Sequence, residues 1–419
     1  MKKTFLLFSV IALIAINCSA QENFKVMFYN LLNYPLEDAV PNREVDLEVT
    51  LSDYQPDLFL VCELNNSEGA NNILSITRSA ISSDFEMATY VSNTSDDFIG
   101  DQNNLQNLLY YNSSKFILEE EIIVPTYLRD FNIYRLKLNT INQDTNPIEL
   151  YVIVAHLKAS SGEFNEQRRF EMVQDLDAYL NTLPADVNVL LGGDLNLYTG
   201  LESAFQELLD VTNNITFTDP ANRIGDWNNN ASFVDVFTQS TRTESGMGGA
   251  TGGFDDRFDF ILTSQNMIGN SNINYMADSY QVYGNNETAS CRNRSINSED
   301  CSGADYSFEI REALHNFSDH LPVTVTLETD ATLLSIDEVT AVEKLLLKET
   351  LINNELVLQL NSSELYDKTL IIYNSLGKKV KIFRTNLERE QHFNVSDLSH
   401  GLYFLRIQDF NPIKFIIAN

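Results

Sequence analysis

Carboxylates, amides and histidines recur where apolar runs end along the first three quarters of the chain. Glu63 follows "LFLVC", His156 follows "YVIVA" and Asp194 follows "VLLGG". A buried, unpaired carboxylate is costly, so such groups require a cation, a histidine or several N–H donors as partners. Five more polar residues lie at comparable positions: Asn30, Asn196, Asp259, Asp319 and His320.

These residue types suit the hydrolysis of a phosphate ester. Glu63 and Asp319 offer hard oxygen ligands of the kind that Mg²⁺ takes, with water and substrate phosphate filling the other positions. A metal bound there would polarise a phosphoryl oxygen and stabilise the charge that develops in the transition state. His320 is a candidate general base, and Asp259 is the candidate carboxylate that fixes its tautomer.

The remaining polar groups fit the same chemistry. Asp194 is a candidate for positioning or deprotonating a water, whereas Asn30 and Asn196 offer neutral donors to phosphate oxygens. His156 could donate to the phosphate or assist the leaving oxygen. Structural ion pairing is the alternative for any one of these groups. Residues 21–332 contain only 16 basic residues against 48 acidic ones, so a shared metal and a charge-paired site explain the whole set better.

Other hydrolytic chemistries find less support in the sequence. A Ser-His-Asp hydrolase would require a G-x-S-x-G nucleophile elbow, which the sequence lacks. A zinc hydrolase would require more closely spaced histidines, and the chain has only five, two of them in its last 30 residues. The "GGATGG" stretch at 248–253 lacks the Lys-Ser/Thr of a phosphate-binding loop and is interpreted as a flexible turn.

Short apolar runs rich in branched and aromatic residues predict the strands that position these groups, including "FKVMFYNLL", "IELYVIVAHL" and "LPVTVTLE". The stretch "FNEQRRFEMVQDLDAYLNTL" has helical periodicity. Strands and helices mixed over about 300 residues predict layered α/β packing, with either one sheet or two. The polar stretches at 212–232, 243–256 and 284–307 are predicted to be surface loops.

The two ends of the chain predict export and a second domain. The first 20 residues have the charged start, apolar middle and small-residue end of a secretory signal, with cleavage expected after Ala20. No later apolar run is long enough to span a bilayer. Residues 333–419 alternate apolar and polar residues between turn signals, which predicts a small β-sandwich.

The charge balance changes at the same boundary. Residues 333–419 contain ten basic and eleven acidic residues, whereas residues 21–332 have a net charge of −32. Tight, sequence-independent binding of a polyanion depends on Lys and Arg contacts to phosphates, so the acidic domain is not expected to hold nucleic acid tightly. It could still cleave nucleic acid as a substrate, using metal ions and a local basic patch.

The cysteines fit an exported protein. Cys62 lies in a strand-like apolar run and is predicted to be a buried, small apolar residue. Cys291 and Cys301 flank a polar loop and are expected to form a disulfide.

The ordered motifs "FYNLLN", "PDLFLVCELNN", "VAHLKA", "GGDLN", "DDRFDFIL" and "SDHLPV" resemble the endonuclease/exonuclease/phosphatase superfamily, which includes deoxyribonuclease I-like enzymes. The resemblance covers residues 24–328 and implies a four-layer α/β/β/α sandwich. It also implies metal positions at Asn30, Glu63 and Asp319, and a catalytic set of His156, Asp194, Asn196, Asp259 and His320. Some members place an acidic partner for the first histidine ahead of a strand, where this chain has amides.

The tail, from "LIIYNSLGKKV" to "KFIIAN", resembles the C-terminal sorting domain of the type IX secretion system. This resemblance implies a Bacteroidota-type bacterium, export through the periplasm and a secreted or cell-surface location. It also implies an interaction with the secretion machinery. A carbohydrate-binding sandwich is the alternative, but the tail lacks tryptophan.

Together these observations predict a secreted, monomeric, Mg²⁺-dependent phosphodiesterase, with Mn²⁺ or Ca²⁺ as alternative metals. The expected activity is that of a nuclease acting on extracellular DNA or RNA. One alternative is a phosphatase or sphingomyelinase-type enzyme with the same site, and another is a surface-binding module without catalytic activity. The predicted domains are 1–20 (signal), 21–332 (catalytic) and 333–419 (sorting).

Overall fold

The computed structural model describes residues 21–95, 105–269, 271–334, 345–348, 351–360, 365–375, 377–407 and 413–418. The predicted signal sequence lies outside these residues. The chain divides into two compact units, Met1–Leu333 and Leu334–Asn419. Each unit has its own hydrophobic core.

The first sheet of the larger unit has seven strands: β1 (Glu22–Tyr34), β2 (Leu58–Leu64), β3 (Phe85–Met87), β4 (Gln106–Asn112), β11 (Asn274–Tyr275), β12 (Gln281–Val282) and β13 (Val323–Thr329). Their order is β11-β13-β1-β2-β4-β3, and β12 also pairs with β13. β1 and β2 are parallel, whereas β13 runs antiparallel to β1. The central strand β2, "LFLVCEL", is almost wholly apolar because both of its faces are covered.

The second sheet has six strands in the order β5-β6-β7-β8-β10-β9. Their bounds are β5 (Phe116–Val124), β6 (Phe131–Leu138), β7 (Glu149–His156), β8 (Asn188–Asp194), β9 (Phe217–Thr218) and β10 (Asp259–Ser264). The two sheets pack face to face, with β1 and β2 of the first sheet against β7, β8 and β10 of the second. One continuous core of buried side chains fills the space between them.

The described residues of this unit form five α-helices: α1 (Glu44–Tyr54), α2 (Ser67–Ala80), α3 (Glu163–Leu180), α4 (Ser203–Leu208) and α5 (Phe308–Phe317). α1 contacts α2 and α5, and α3 contacts α4. Side-chain caps fix two of the helix starts, since Asn66 accepts from the Gly69 N–H and Ser307 from the Ile310 N–H. The predicted α/β class, with two packed sheets and outer helices, is confirmed.

The smaller unit contains two sheets of strands around its own core. One sheet has the order β14-β16-β19, and the other has the order β15-β21-β20-β17-β18. Alternating residues such as Leu356, Leu358 and Leu360 face the core, as in an ordinary sandwich strand. The strand bounds are β14 (Leu345–Leu347), β15 (Leu351–Ile352), β16 (Glu355–Leu360), β17 (Thr369–Asn374), β18 (Lys379–Arg384), β19 (Glu390–Asn394), β20 (Gly401–Ile407) and β21 (Ile413–Ile417).

Candidate active site

Three of the predicted residues form a row across the second sheet. His156 ends β7, Asp194 ends β8 and Asp259 begins β10. In the strand register, His156 pairs with Asp194, and Asp194 pairs with Asp259. Gly193 allows this close approach, because a Cβ there would lie 2.7 Å from the Ala155 carbonyl oxygen. Backbone pairing therefore sets the spacing of the row.

The first sheet contributes the other residues. Asn30 lies in β1 and Glu63 in β2, while Asp319 and His320 directly precede β13. The Asn30 amide connects the sheets, since its Nδ2 donates to Glu63 Oε1 at 3.1 Å and to Asp194 Oδ2 at 3.0 Å. All of these side chains are buried except that of Glu63, which is 15% exposed. The site therefore lies where the two sheets meet.

His320 and Asp259 form a close pair. His320 Nδ1 lies 2.7 Å from Asp259 Oδ2. On the other side of the ring, Nε2 faces the amide nitrogens of Gln239 at 2.6 Å and of Asn30 at 3.4 Å. Because those amides are donors, Nε2 is the accepting nitrogen and Nδ1–H donates to Asp259. In its neutral form, the imidazole thus presents the Nε2 lone pair toward the site.

Asp319 contacts a segment that the sequence did not connect with the site. Its Oδ2 accepts from Gln239 Nε2 at 3.1 Å and from the Ala250 N–H at 2.7 Å. Its Oδ1 is buried and has no hydrogen-bond partner among the described residues. The side chains of Asp319 and His320, adjacent in sequence, therefore both contact Gln239. Their other contacts differ, since Asp319 accepts from the Ala250 N–H and His320 pairs with Asp259.

The carboxylates of the site disfavour one another's charge. Burial and the neighbouring charges of Asp259 and Glu63 raise the pKa of Asp194 to about 8. Burial and the charge of Asp319 raise the pKa of Glu63 as well. For His320, burial alone would lower the pKa, but the nearby carboxylates of Asp259 and Asp319 raise it well above its ordinary value. The site thus has an excess of negative charge.

The pKa of His156 is shifted in the direction opposite to that of His320. Burial, followed by the positive charges of Arg129 and His320, holds the pKa of His156 well below its ordinary value. Its ring is therefore neutral near pH 7. Nε2 lies 3.7 Å from Asp194 Oδ2 and 3.9 Å from Glu63 Oε1. Within the described part of the chain, Nδ1 has no hydrogen-bond partner.

Two site residues adopt left-handed backbone conformations. Glu63 has a φ of 57° and Asn196 a φ of 51°. Asparagine adopts this conformation readily, but for glutamate it is uncommon and unfavourable. The surrounding contacts hold both residues in place: Glu63 Oε2 accepts from the Asn33 N–H, and Asn196 Nδ2 donates to the Leu157 carbonyl. Local strain therefore coincides with the site.

The donor set fits a divalent cation. Ligand atoms of Glu63, His156 and Asp194 lie within 4.8 Å of one another, as do those of Asp194, Asp259 and His320. The Oδ1 atoms of Asp259 and Asp319 are buried without partners among the residues that the structure describes. Carboxylate oxygens in excess of their hydrogen-bond donors are the ligands that Mg²⁺, Mn²⁺ or Ca²⁺ would take.

The structure also identifies supporting groups that sequence reasoning missed. Gln239 and the Ala250 N–H contact Asp319, and Thr238 Oγ1 accepts from the Asp259 N–H at 3.2 Å. Arg129 Nη1 donates to the Leu157 carbonyl, beside His156. These groups lie outside the motifs in sequence. The apolar runs that marked the strand ends gave no signal for them.

The cysteines occupy two different environments. Cys291 and Cys301 are joined in a disulfide, and both are buried. The segment that they close pairs with the loop of Gln239: Phe254 N donates to Arg294 O, and Ile296 N donates to Thr241 O. Cys62 is a free, buried thiol in β2. The stretch 284–307, predicted as a surface loop, is thus partly buried and hydrogen-bonds to the chain on either side of the glycine-rich stretch 246–253.

Comparison with solved structures gives neighbours of the endonuclease/exonuclease/phosphatase group. A family protein from Bacteroides thetaiotaomicron is 14% identical, with 74% of this chain and 96% of that chain covered and a TM-score of 0.45. TDP2 from D. rerio, in complex with a single-strand DNA product, is 16% identical, with coverages of 73% and 99% and a TM-score of 0.46. A mannosyl-6-phosphatase from Bacteroides thetaiotaomicron is 16% identical, with coverages of 73% and 99% and a TM-score of 0.44. A comparison with curated proteins gives no match.

The tail has a family match of its own. Among the described residues, no helix is long and apolar enough to cross a membrane. Residues 352–418 match the family model of the secretion system C-terminal sorting domain. This domain marks proteins for export, which implies an interaction with the secretion machinery. The chain is therefore a secreted or cell-surface protein that carries a C-terminal sorting domain of the type IX system.

Proposed function

We propose that the larger unit is a divalent-metal-dependent phosphoester hydrolase, and that its substrate is a phosphodiester of extracellular DNA or RNA. One observation carries the proposal: the His320–Asp259 pair lies beside buried carboxylate oxygens that lack hydrogen-bond partners among the described residues. A structural ion-pair network would satisfy those oxygens, whereas a metal-assisted hydrolytic site requires them.

The chain's own residues can divide the reaction between them. Asp259 fixes the His320 ring so that, in the neutral form of the ring, Nε2 can accept a proton from an attacking water. Asp194, which receives N–H groups from Asn30 and Asn196, orients that water. His156 and Asn196 are donors toward phosphate oxygens. As the water oxygen attacks phosphorus, its proton passes to His320, the new P–O bond forms and the ester P–O bond breaks. The leaving oxygen then takes a proton from solvent water.

Glu63, Asn30 and Asp319 are the residues that would hold a cation. When bound, a divalent cation would polarise a phosphoryl oxygen and neutralise charge that builds on the phosphorane. The Asn30 carboxamide is already held, because its Oδ1 accepts from the Leu32 N–H at 2.9 Å. A carboxamide oxygen has two lone pairs, so the second one could still bind a cation.

The experiment is a substrate panel of plasmid DNA, RNA, sphingomyelin and nitrophenyl phosphates, each with Mg²⁺ and with chelator. We expect Mg²⁺-dependent hydrolysis of nucleic acid, and its loss in Glu63→Gln. Glu68→Gln, on the exposed face of α2, is the matched control and should retain activity. Equal rates with and without chelator would contradict the metal role.

The acidity of the domain favours a second candidate within the same chemistry. A net charge of −32 over residues 21–332 repels a long polyanion more than it repels a single phosphate group. The alternative is a phosphatase or sphingomyelinase-type enzyme. Hydrolysis of sphingomyelin or a phosphomonoester, with no cleavage of DNA or RNA at low salt, would select this candidate.

A further inference from the structure

Asp319 lies under a glycine-rich segment, residues 246–253, here named the glycine loop. The predicted flexible turn at 248–253 belongs to it. In the structure the loop is held in place rather than projecting freely. Arg242 is buried, and its Nη1 donates to the carbonyls of Met247 at 2.8 Å and Gly248 at 3.2 Å. Ser240 Oγ donates to the Ala250 carbonyl at 2.8 Å.

The glycine loop and Gln239 donate hydrogen bonds to one carboxylate oxygen of Asp319 but not to the other. Both donors, Gln239 Nε2 and the Ala250 N–H, reach Oδ2. Oδ1 is buried, and none of the described residues hydrogen-bonds to it. Two donors on one oxygen fix the plane of the carboxylate. The second oxygen is thereby left available to a ligand.

The loop also approaches Asp319 too closely for any side chain. Gly249 has a φ of +66°, and a Cβ there would lie 2.5 Å from Asp319 Cγ. Gly246 has a φ of +90°, but a Cβ there would have no atom within 4 Å. Both positions favour glycine for backbone reasons. Only Gly249 combines that requirement with a contact on the carboxylate.

Gln239 also reaches the neighbouring residue, because its Nε2 lies 2.6 Å from His320 Nε2. Its backbone is fixed independently of its side chain: Gln239 N donates to Asp256 O, and Gln239 O accepts from the N–H groups of Asp255 and Asp256. The backbone therefore places the Gln239 amide between Asp319, the predicted metal ligand, and His320, the predicted base.

From these contacts we infer that Gln239 and residues 249–250 of the glycine loop are positioning elements, which hold Asp319 so that its Oδ1 faces a bound divalent cation. The inference rests on the proposed function and adds residues to which no role was assigned. Outer groups that orient a metal ligand typically contribute 10-fold to 100-fold to metal affinity or activity. Removing either contact should therefore weaken cation binding without unfolding the domain.

The test compares Gln239→Met, Gly249→Ala and the control Gly246→Ala in the full chain. Mn²⁺ affinity is measured by calorimetry, metal-free stability by thermal unfolding, and hydrolysis as a function of Mg²⁺ concentration. We expect Gln239→Met and Gly249→Ala to bind Mn²⁺ about 10-fold to 100-fold more weakly and to regain activity at high Mg²⁺. Gly246→Ala should bind Mn²⁺ like the wild type.

Two results would overturn the inference while leaving the proposed function intact. In one, the wild type binds Mn²⁺ and hydrolyses substrate, and Gln239→Met and Gly249→Ala match it in both. In the other, Gly246→Ala and Gly249→Ala lose affinity equally, which would trace the effect to backbone strain. A wild-type chain that neither binds Mn²⁺ nor hydrolyses any phosphoester would instead refute the proposed function itself.

Discussion

Two buried charged regions lie only two residues apart along the chain and differ in how their charges are paired. Arg257 forms two bonds to Asp219, at 2.9 and 2.8 Å, and their side chains are 0% and 1% exposed. Asp259, the next residue but one, lies among buried carboxylates, and its Oδ1, like that of Asp319, has no hydrogen-bond partner in the part of the chain that the structure describes. Burial is the same in both regions, so it does not distinguish structure from function. The neighbouring charge does distinguish them: Asp219 faces the guanidinium of Arg257, whereas the pKa of Asp194 is raised by burial and by the carboxylates of Asp259 and Glu63.

The pKa shifts follow the same division. Burial would raise the pKa of Asp219, but the Arg257 guanidinium holds it below its ordinary value. Burial and like charges instead raise the pKa of Asp194 to about 8. A bidentate Arg–carboxylate pair compensates for lost hydration, and a group of carboxylates does not. The first region should therefore stabilise the fold, and the second should do so only with a ligand.

The largest effect should come from removing the imidazole of the active site. We expect His320→Ala to reduce hydrolysis by about 10²-fold to 10⁴-fold, the usual contribution of a general base. The change in its unfolding free energy should be much smaller than the rise in the activation free energy of hydrolysis. The measurement is the steady-state rate on the best substrate of the panel, with urea unfolding alongside. His392→Ala, at an exposed histidine of the smaller unit, should leave the rate unchanged.

Breaking the Arg257–Asp219 ion pair should affect stability instead. Arg257→Met leaves Asp219 buried without its cation, and we expect a loss of about 3–5 kcal/mol in unfolding free energy. The double variant Asp219→Asn/Arg257→Met should recover part of that loss, because no unpaired charge remains. Urea denaturation at pH 7 checks both. A loss as large in the double variant as in the single one would show that the charge itself is not the cause.

The same pair predicts a pH dependence. The pKa of Asp219 is lower in the folded protein than in the unfolded chain, where a value of about 3.9 is ordinary. The stabilisation is therefore complete above about pH 4 and decreases as the pH falls through the folded value. Denaturation of the wild type and of Asp219→Asn/Arg257→Met should show their difference narrowing on acidification. A difference independent of pH between 7 and 2 would contradict this assignment.

At the active site we expect a change in unfolding free energy that is smaller and has the opposite sign. Asp194→Asn removes a carboxylate whose ionised form is disfavoured, so without metal it should raise the unfolding free energy at pH 8 by at least about 1 kcal/mol. Hydrolysis should be lost at the same time. Thermal unfolding with chelator measures the first and the substrate assay the second. Destabilisation by this substitution would mean that Asp194 is a structural residue.

The smallest effect should come from an exposed pair. Arg294 and Asp300 lie 3.1 Å apart, but their side chains are 60% and 51% exposed. We expect Arg294→Ala to change the unfolding free energy by about 0–1 kcal/mol. A larger change in urea denaturation would show that burial is not what separates this pair from Arg257–Asp219.

The sequence predicted the α/β class and the strands that carry the site residues. Their signal was local: an apolar run followed by a polar residue, as in "LFLVCE" and "VLLGGD". Strand register then brought His156, Asp194 and Asp259 together, although they lie far apart in the chain. The roles assigned to these residues stay predictions. The family match of the tail supports the predicted export.

The supporting groups could not be predicted in the same way. Gln239 follows no apolar strand, and its importance lies in contacts with Asp319 and His320, about 80 positions away. The glycine loop resembled a flexible turn because glycine also occurs where the chain is free. Its role depends on close approach to Asp319, a tertiary contact that composition does not encode.

The row of His156, Asp194 and Asp259 has a consequence for how this domain could be redesigned. Hydrogen bonds between neighbouring strands space the three residues, whereas the loops that follow β7 and β8 and the loop that precedes β10 shape the surroundings. Loops can change in length without shifting strand register, but a single-residue insertion inside β8 would turn Asp194 to the other face. Loop grafting is therefore the route to new substrate selectivity, with the strands left untouched.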